Sequence, residues 1–77
     1  MRSIHQIARE IRSDWKKVNF AAEPYLRAMS ALSTVQDTYG ADDARGIVLY
    51  FLANAATYRG ENAKRLKLEL KQVCNIK

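Results

Sequence analysis

Seventy-seven residues with a net charge of +5 make one small basic domain, and a chain this short buries only about 60–65% of the surface its unfolded form exposes. At 48% hydrophobic and 27% charged residues, the composition is globular and falls outside the low-hydrophobicity disordered class. A single cysteine, Cys74, excludes an intrachain disulfide, and with a single histidine, His5, it excludes a Cys/His metal cage.

Three glycines and one proline leave little turn punctuation. With abundant Ala, Leu, Lys and Arg, this favours long helices over a many-stranded fold. The expected fold is all-α: a small single-domain bundle of three to four helices spanning residues 1–77. The opening residues lack the apolar core of a signal peptide. The longest apolar run, Ile47 to Ala53, is far short of the ~18 residues that cross a bilayer. No membrane association is expected, and a lone cysteine suits a reducing compartment, so the expected location is cytoplasmic. The charge is uneven. Residues 1–20 carry five basic and two acidic groups (+3), residues 21–43 one basic and four acidic (−3), residues 44–58 only Arg45 (+1), and residues 59–77 six basic and two acidic (+4). Basic ends packed beside an acidic middle would satisfy this pattern, as would a polyanion at the ends.

The first helix is expected over residues 3–18. Ser3 and Gln6 have capping-box spacing, and Ile4, Ile7, Ala8, Ile11, Trp15 and Val18 follow at helical spacing. The other face carries Arg2, Arg9, Arg12 and Lys16, and Glu10 and Asp14 fall within reach of Lys17. Pro24 suits the first turn of a second helix over 23–39, since its missing N–H would be unpaired there anyway. Tyr25, Leu26, Met29, Leu32, Val35 and Tyr39 line one face of that helix, and Gly40 stands where a left-handed terminator belongs.

Asp42 and Asp43 can cap a third helix over 42–58. Its run from Ile47 to Leu52 is apolar on nearly every face, which predicts the buried central helix of the bundle with Leu49 and Phe51 in the core. A strand competes for this stretch, because the run is short and holds β-branched and aromatic residues. Helix-compatible flanks, and the absence of a second strand to pair with, favour the helix. After Gly60 a fourth helix is expected over 61–75, with Ala63, Leu66, Leu70 and Val73 on one face and Lys64, Lys67 and Lys71 opposite. Leu68 falls off the apolar face. Glu61–Arg65 and Arg65–Glu69 have ion-pair spacing.

Nothing in this pattern assembles a catalytic constellation. A nucleophile needs a base within hydrogen-bond reach, and the only thiol and only imidazole lie at opposite ends of the chain. Cys74 reads as a small buried hydrophobe, and His5 as a boundary residue. Asp42 and Asp43 are explained by the helix cap, there is no glycine-rich phosphate loop, and no catalytic residue, metal ligand or cofactor site is assigned.

Two binding classes remain. The main expectation is a small non-enzymatic protein-interaction or regulatory module. Seven aromatic residues exceed what a thin four-helix core can bury, and partly exposed Tyr and Trp are common interface anchors. Arg9, Arg12, Trp15, Lys16 and Tyr58 are the candidate partner contacts, with self-association into a homodimer as one form. The alternative is DNA binding. In residues 52–70, Ala56, Gly60 and Leu66 match a partial helix-turn-helix, although Glu61 and Glu69 stand where apolar residues belong. Arg59, Asn62, Lys64, Arg65, Lys67 and Lys71 are its candidate nucleic-acid contacts. A membrane-surface role for residues 61–76 is set aside because the core needs their Leu and Val residues.

Overall fold

Four helices and a two-residue hairpin make up the protein in a computed structural model that describes residues 2–76. The order is α1 (Ile4–Asp14), α2 (Glu23–Met29), β1 (Thr38–Tyr39), β2 (Asp42–Asp43), α3 (Ala44–Ala53) and α4 (Glu61–Val73). The all-α expectation therefore holds, with the hairpin as a small addition.

The capping box at the start of α1 is formed. Ser3 Oγ accepts from the Gln6 N–H, and Gln6 Oε1 accepts from the Ser3 N–H at 2.9 Å. Two more N–H groups at this helix start, those of Ile4 and His5, donate to the carbonyls of Ser33 and Leu32 at 3.0 and 2.9 Å. The chain after α2 thus satisfies helix donors that would otherwise be orphaned. Ile4, Ile7, Ala8 and Ile11 are fully buried. Burying an isoleucine of this kind contributes roughly 1.5–3 kcal/mol. The helix ends at Asp14 rather than residue 18, with Trp15 turning inward at the cap.

The second helix is much shorter than the expected 23–39. It starts at Glu23, with Pro24 in its first turn, and stops at Met29. Ser30 Oγ donates back to the Leu26 carbonyl at 3.0 Å, and the N–H groups of Ala31 and Leu32 drop to i−3 bonds. Serine and threonine compete with the helix ladder in this way. The Asp37 carboxylate then accepts the N–H groups of Ser33 and Thr34 at 2.7 and 3.1 Å and closes a loop. Thr38 and Tyr39 pair antiparallel with Asp43 and Asp42. Gly40 is left-handed, with φ of 65°, but it serves this hairpin turn rather than a helix end, as suits a two-residue hairpin loop.

The apolar run of α3 is a helix, as expected, but spans 44–53 rather than 42–58. Asp43 is its N-cap, accepting from the Gly46 N–H at 2.7 Å. At its far end Asn54 Nδ2 donates to the Tyr50 carbonyl at 2.8 Å, and Asn19 Nδ2 takes the Asn54 carbonyl. The helix is not buried all round. Ala44, Ile47, Val48 and Phe51 enter the core, while Leu49 and Tyr50 are exposed.

The elements pack as two pairs. α3 lies on α2, α4 lies on α1, and α1 also meets α2. α1 and α2 each meet two other helices, and Phe51 of α3 is the largest fully buried side chain. Trp15 joins the pairs. Its ring meets Phe51 edge-on at 6.2 Å and stacks on Tyr58 at 4.9 Å. No described helix is long and apolar enough to cross a membrane.

Candidate partner-binding surfaces

The basic residues of the two chain ends face each other across α1 and α4. Arg2 donates to both Glu10 and Glu69, and Arg65 donates to Glu10. These guanidinium bonds hold the Glu10 and Glu69 carboxyls below the usual carboxylate range. Asp14 accepts from the Tyr58 hydroxyl at 2.6 Å and from Asn62 Nδ2 at 3.1 Å. Those two bonds lower its pKa, while burial, followed by this bond, raises that of Tyr58. The two basic ends pack on one another, using Glu10, Asp14 and Glu69 as internal partners, and also meet the acidic middle, one of the two arrangements that the charge pattern allowed. One ion pair crosses from α1 to α2, a two-pronged contact of Arg12 with Glu23 at 3.0 and 2.7 Å.

Four of the six candidate nucleic-acid contacts make intramolecular bonds, Arg59 among them through Nε to the Ala56 carbonyl at 3.3 Å. Asn62 and Arg65 serve the α1–α4 contact. Lys67 Nζ donates to the carbonyls of Ala55 and Tyr58, both at 2.7 Å, and lies 5.7 Å from the Tyr58 ring centre. Burial, together with the charges of Arg59 and Lys71, lowers its pKa. Arg59, Lys64 and Lys71 are exposed. The helix-turn-helix geometry expected over 52–70 is not formed. Residues 54–60 separate α3 from α4, against the three or four residues of that motif's turn. Its second helix would pack on the first, whereas α4 packs chiefly on α1. Gly60 does mark the turn, but with φ of 115° and ψ of 179°, a conformation essentially restricted to glycine.

Lys67 therefore acts as a clamp on the connection between α3 and α4. Replacing it by Met keeps the aliphatic stem and removes both charged hydrogen bonds. Lys67→Met is expected to lower stability by about 1–2 kcal/mol, whereas Lys64→Met on the solvent side should stay within about 0.5 kcal/mol of the parent. Urea unfolding followed by circular dichroism distinguishes the two.

The candidate partner contacts also divide. Trp15 and Tyr58 are buried, 8% and 3% exposed, so they are core residues and not interface anchors. Their mutual stacking and the Tyr58–Asp14 bond consume the faces and the hydroxyl that a partner would use. Lys16 is exposed in the turn after α1. Arg9 and Arg12 line a shallow groove of about 320 Å³ between α1 and α2, with His5, Ser13 and Ser30. Arg12 is already committed to Glu23 there.

Phe20, in the turn after α1, is 90% exposed and stands outside the aromatic cluster that lies on the other pair of helices. Tyr25 of α2 and Tyr50 of α3 stack at 5.5 Å with their planes 20° apart. With Tyr39 of β1 they wall a cavity of about 490 Å³. Ala28 and Ile47, both buried, form its floor, and Pro24 and Asp42 complete the lining. Tyr50 is 58% exposed, and Tyr39 and the neighbouring Leu49 are each 45% exposed. Among the described residues, the hydroxyls of Tyr25, Tyr39 and Tyr50 have no protein hydrogen-bond partner, and Asp42 has no cationic partner.

This groove is not legible while the second helix is run to residue 39. That span places Tyr25 and Tyr39 on one buried face together with Leu26 and Leu32. The available signal was chemical: tyrosine stands at three positions where a core would take leucine, and the Ser33-Thr34…Asp37 pattern favours a loop. No protein-family model matches the chain, and no curated protein or solved structure shows significant similarity to it.

Proposed function

We propose that this chain is a small non-enzymatic interaction module that engages a partner protein through the tyrosine groove between α2 and α3. The observation that carries this reading is the stack of half-buried Tyr25 on exposed Tyr50, which walls one groove together with exposed Tyr39. Tyrosines supply large contact area at low conformational cost, and clustered exposed apolar surface on a small domain marks an interaction site. The DNA-binding alternative has less support, because Asn62, Arg65 and Lys67 make intramolecular bonds.

A photo-crosslinking side chain at position 50, compared with one at position 64 on α4, tests the reading in cells of the native host. A discrete protein adduct from position 50 and none from position 64 is the expected result. The reverse pattern would move the interaction to α4, and the absence of adducts from both would reject the groove. A duplex-DNA mobility assay at low salt should show no shift at micromolar protein. A salt-sensitive shift would favour the phosphate-binding alternative.

A further inference from the structure

We propose that the occupant of the tyrosine groove is an extended, proline-containing basic segment of a partner protein, a reading that rests on the groove being the partner-binding face. The first ground is shape and chemistry. Flat aromatic walls with an apolar floor accept proline rings, and proline-rich segments dock in aromatic-lined grooves because their extended conformation is already formed in solution. The second is hydrogen bonding. A polyproline II backbone has no internal hydrogen bonds, so its carbonyls are open to donors. Tyr25, Tyr39 and Tyr50 present three phenolic hydroxyls with no other protein partner among the described residues. A helical occupant would have its carbonyls already satisfied.

The third ground is charge. The chain is +5 overall, yet the groove's own lining contains one ionisable group besides the tyrosines, the carboxylate of Asp42. Among the described residues Asp42 makes no ion pair; Arg2 and Arg65 lie on Glu10 and Glu69, and Arg12 lies on Glu23, while Arg45 in the first turn of α3 is exposed and not engaged with Asp42. Asp43 next to it caps Gly46, which leaves Asp42 as the charged handle at the groove. A segment carrying Arg meets it well, since a guanidinium both pairs with carboxylate and stacks on a tyrosine face. Asp42 is the only non-tyrosine ionisable group in the lining, so it supplies the attraction at the groove itself.

Titration of the isotope-labelled full chain with synthetic peptides tests the proposal by NMR. The probes are Arg-Pro-Pro-Leu-Pro-Pro-Arg, the same peptide with Asp at both ends, and the same peptide with every proline replaced by glycine. An amphipathic helical peptide with Arg at both ends serves as a fourth probe. The Arg-flanked proline peptide should shift resonances of residues 24–28 and 39–50 and leave α4 unmoved. Tyr50→Ala, at an exposed position, should weaken it by about tenfold or more. Asp42→Asn should weaken it by about two- to fivefold and flatten its salt dependence.

Equal binding of the glycine peptide would overturn the proline preference, and equal or tighter binding of the Asp-flanked peptide would overturn the charge assignment. Tighter binding of the helical peptide, or groove shifts that grow with protein concentration alone, would assign the groove to a helix or to a second copy of the chain. If no peptide binds while position 50 still crosslinks in cells, the groove remains the interface and this occupant is rejected. If both fail, the groove itself is rejected.

Discussion

Phe51→Ala is expected to remove about 3–5 kcal/mol of stability, while Leu49→Ala two positions earlier should cost about 0.5–1 kcal/mol. Both residues belong to the same apolar run, and periodicity alone places both inside. The difference lies in what each side chain meets. Phe51 is fully buried, and its ring takes the edge of Trp15 at 6.2 Å. Truncation removes the ring from under Trp15 and leaves a cavity in the core, and such cavities close only in part. Leu49 is 45% exposed and loses little that water does not already contact. Domains of this size hold only a few kcal/mol in reserve, so Phe51→Ala should be largely unfolded at ambient temperature. Thermal melts by circular dichroism decide the matter. Equal losses for the two variants would mean that α3 is buried on all faces, contrary to the packing described.

Trp15→Ala should be comparably severe, at about 3–5 kcal/mol, for a different reason. Trp15 is the element that holds the two helix pairs together. It stacks on Tyr58, from the connection into α4, and meets Phe51 of α3; its backbone N–H to the Ile11 carbonyl at 2.7 Å would survive the substitution, so the loss falls on the ring contacts. Trp15→Phe keeps an aromatic face and should recover a large part of the loss. Because Trp15 and Tyr58 share one stack, their truncations should not add. A double-mutant cycle with Tyr58→Ala is expected to show a coupling of about 0.5–3 kcal/mol. A melt of Trp15→Ala within about 1 kcal/mol of the parent would return Trp15 to the list of candidate partner contacts.

The parts of the fold that were legible from sequence are those dictated locally. Ser3 with Gln6, Pro24, Asp43 and Gly60 each satisfy or release specific backbone groups, and each stands at the predicted helix boundary. Cys74 is buried as its type and spacing implied. The end of the second helix was not legible from apolar spacing, because Leu32 and Val35 continue a helical period that the backbone does not follow. Competing hydrogen bonds from Ser30 and Asp37 decide that ending, together with two helix-start donors of α1 waiting for the Leu32 and Ser33 carbonyls. The latter partners lie about a third of the chain away, so a local window cannot see them.

The same division holds for the candidate site. Composition and periodicity by themselves determined an all-α domain with more aromatic surface than its core could absorb, and with charge sorted into basic ends and an acidic middle. Which aromatics went inside was decided only by tertiary packing. Trp15 and Tyr58 were drawn in because a stacked pair, with one hydroxyl satisfied by Asp14, fills the seam between the helix pairs. Tyr39 and Tyr50 were left exposed and Tyr25 half-buried, with the loop after α2 carrying Tyr39 onto the hairpin beside α3. Charge followed the same logic. Arg2 and Arg65 of the basic ends found partners across α1 and α4, since three carboxylates of those helices came within hydrogen-bond reach of Arg2, Arg65, Asn62 and Tyr58. Residue type determines what a side chain can do locally, but only distances between elements far apart in the chain determine which of those capacities the fold consumes and which it leaves open.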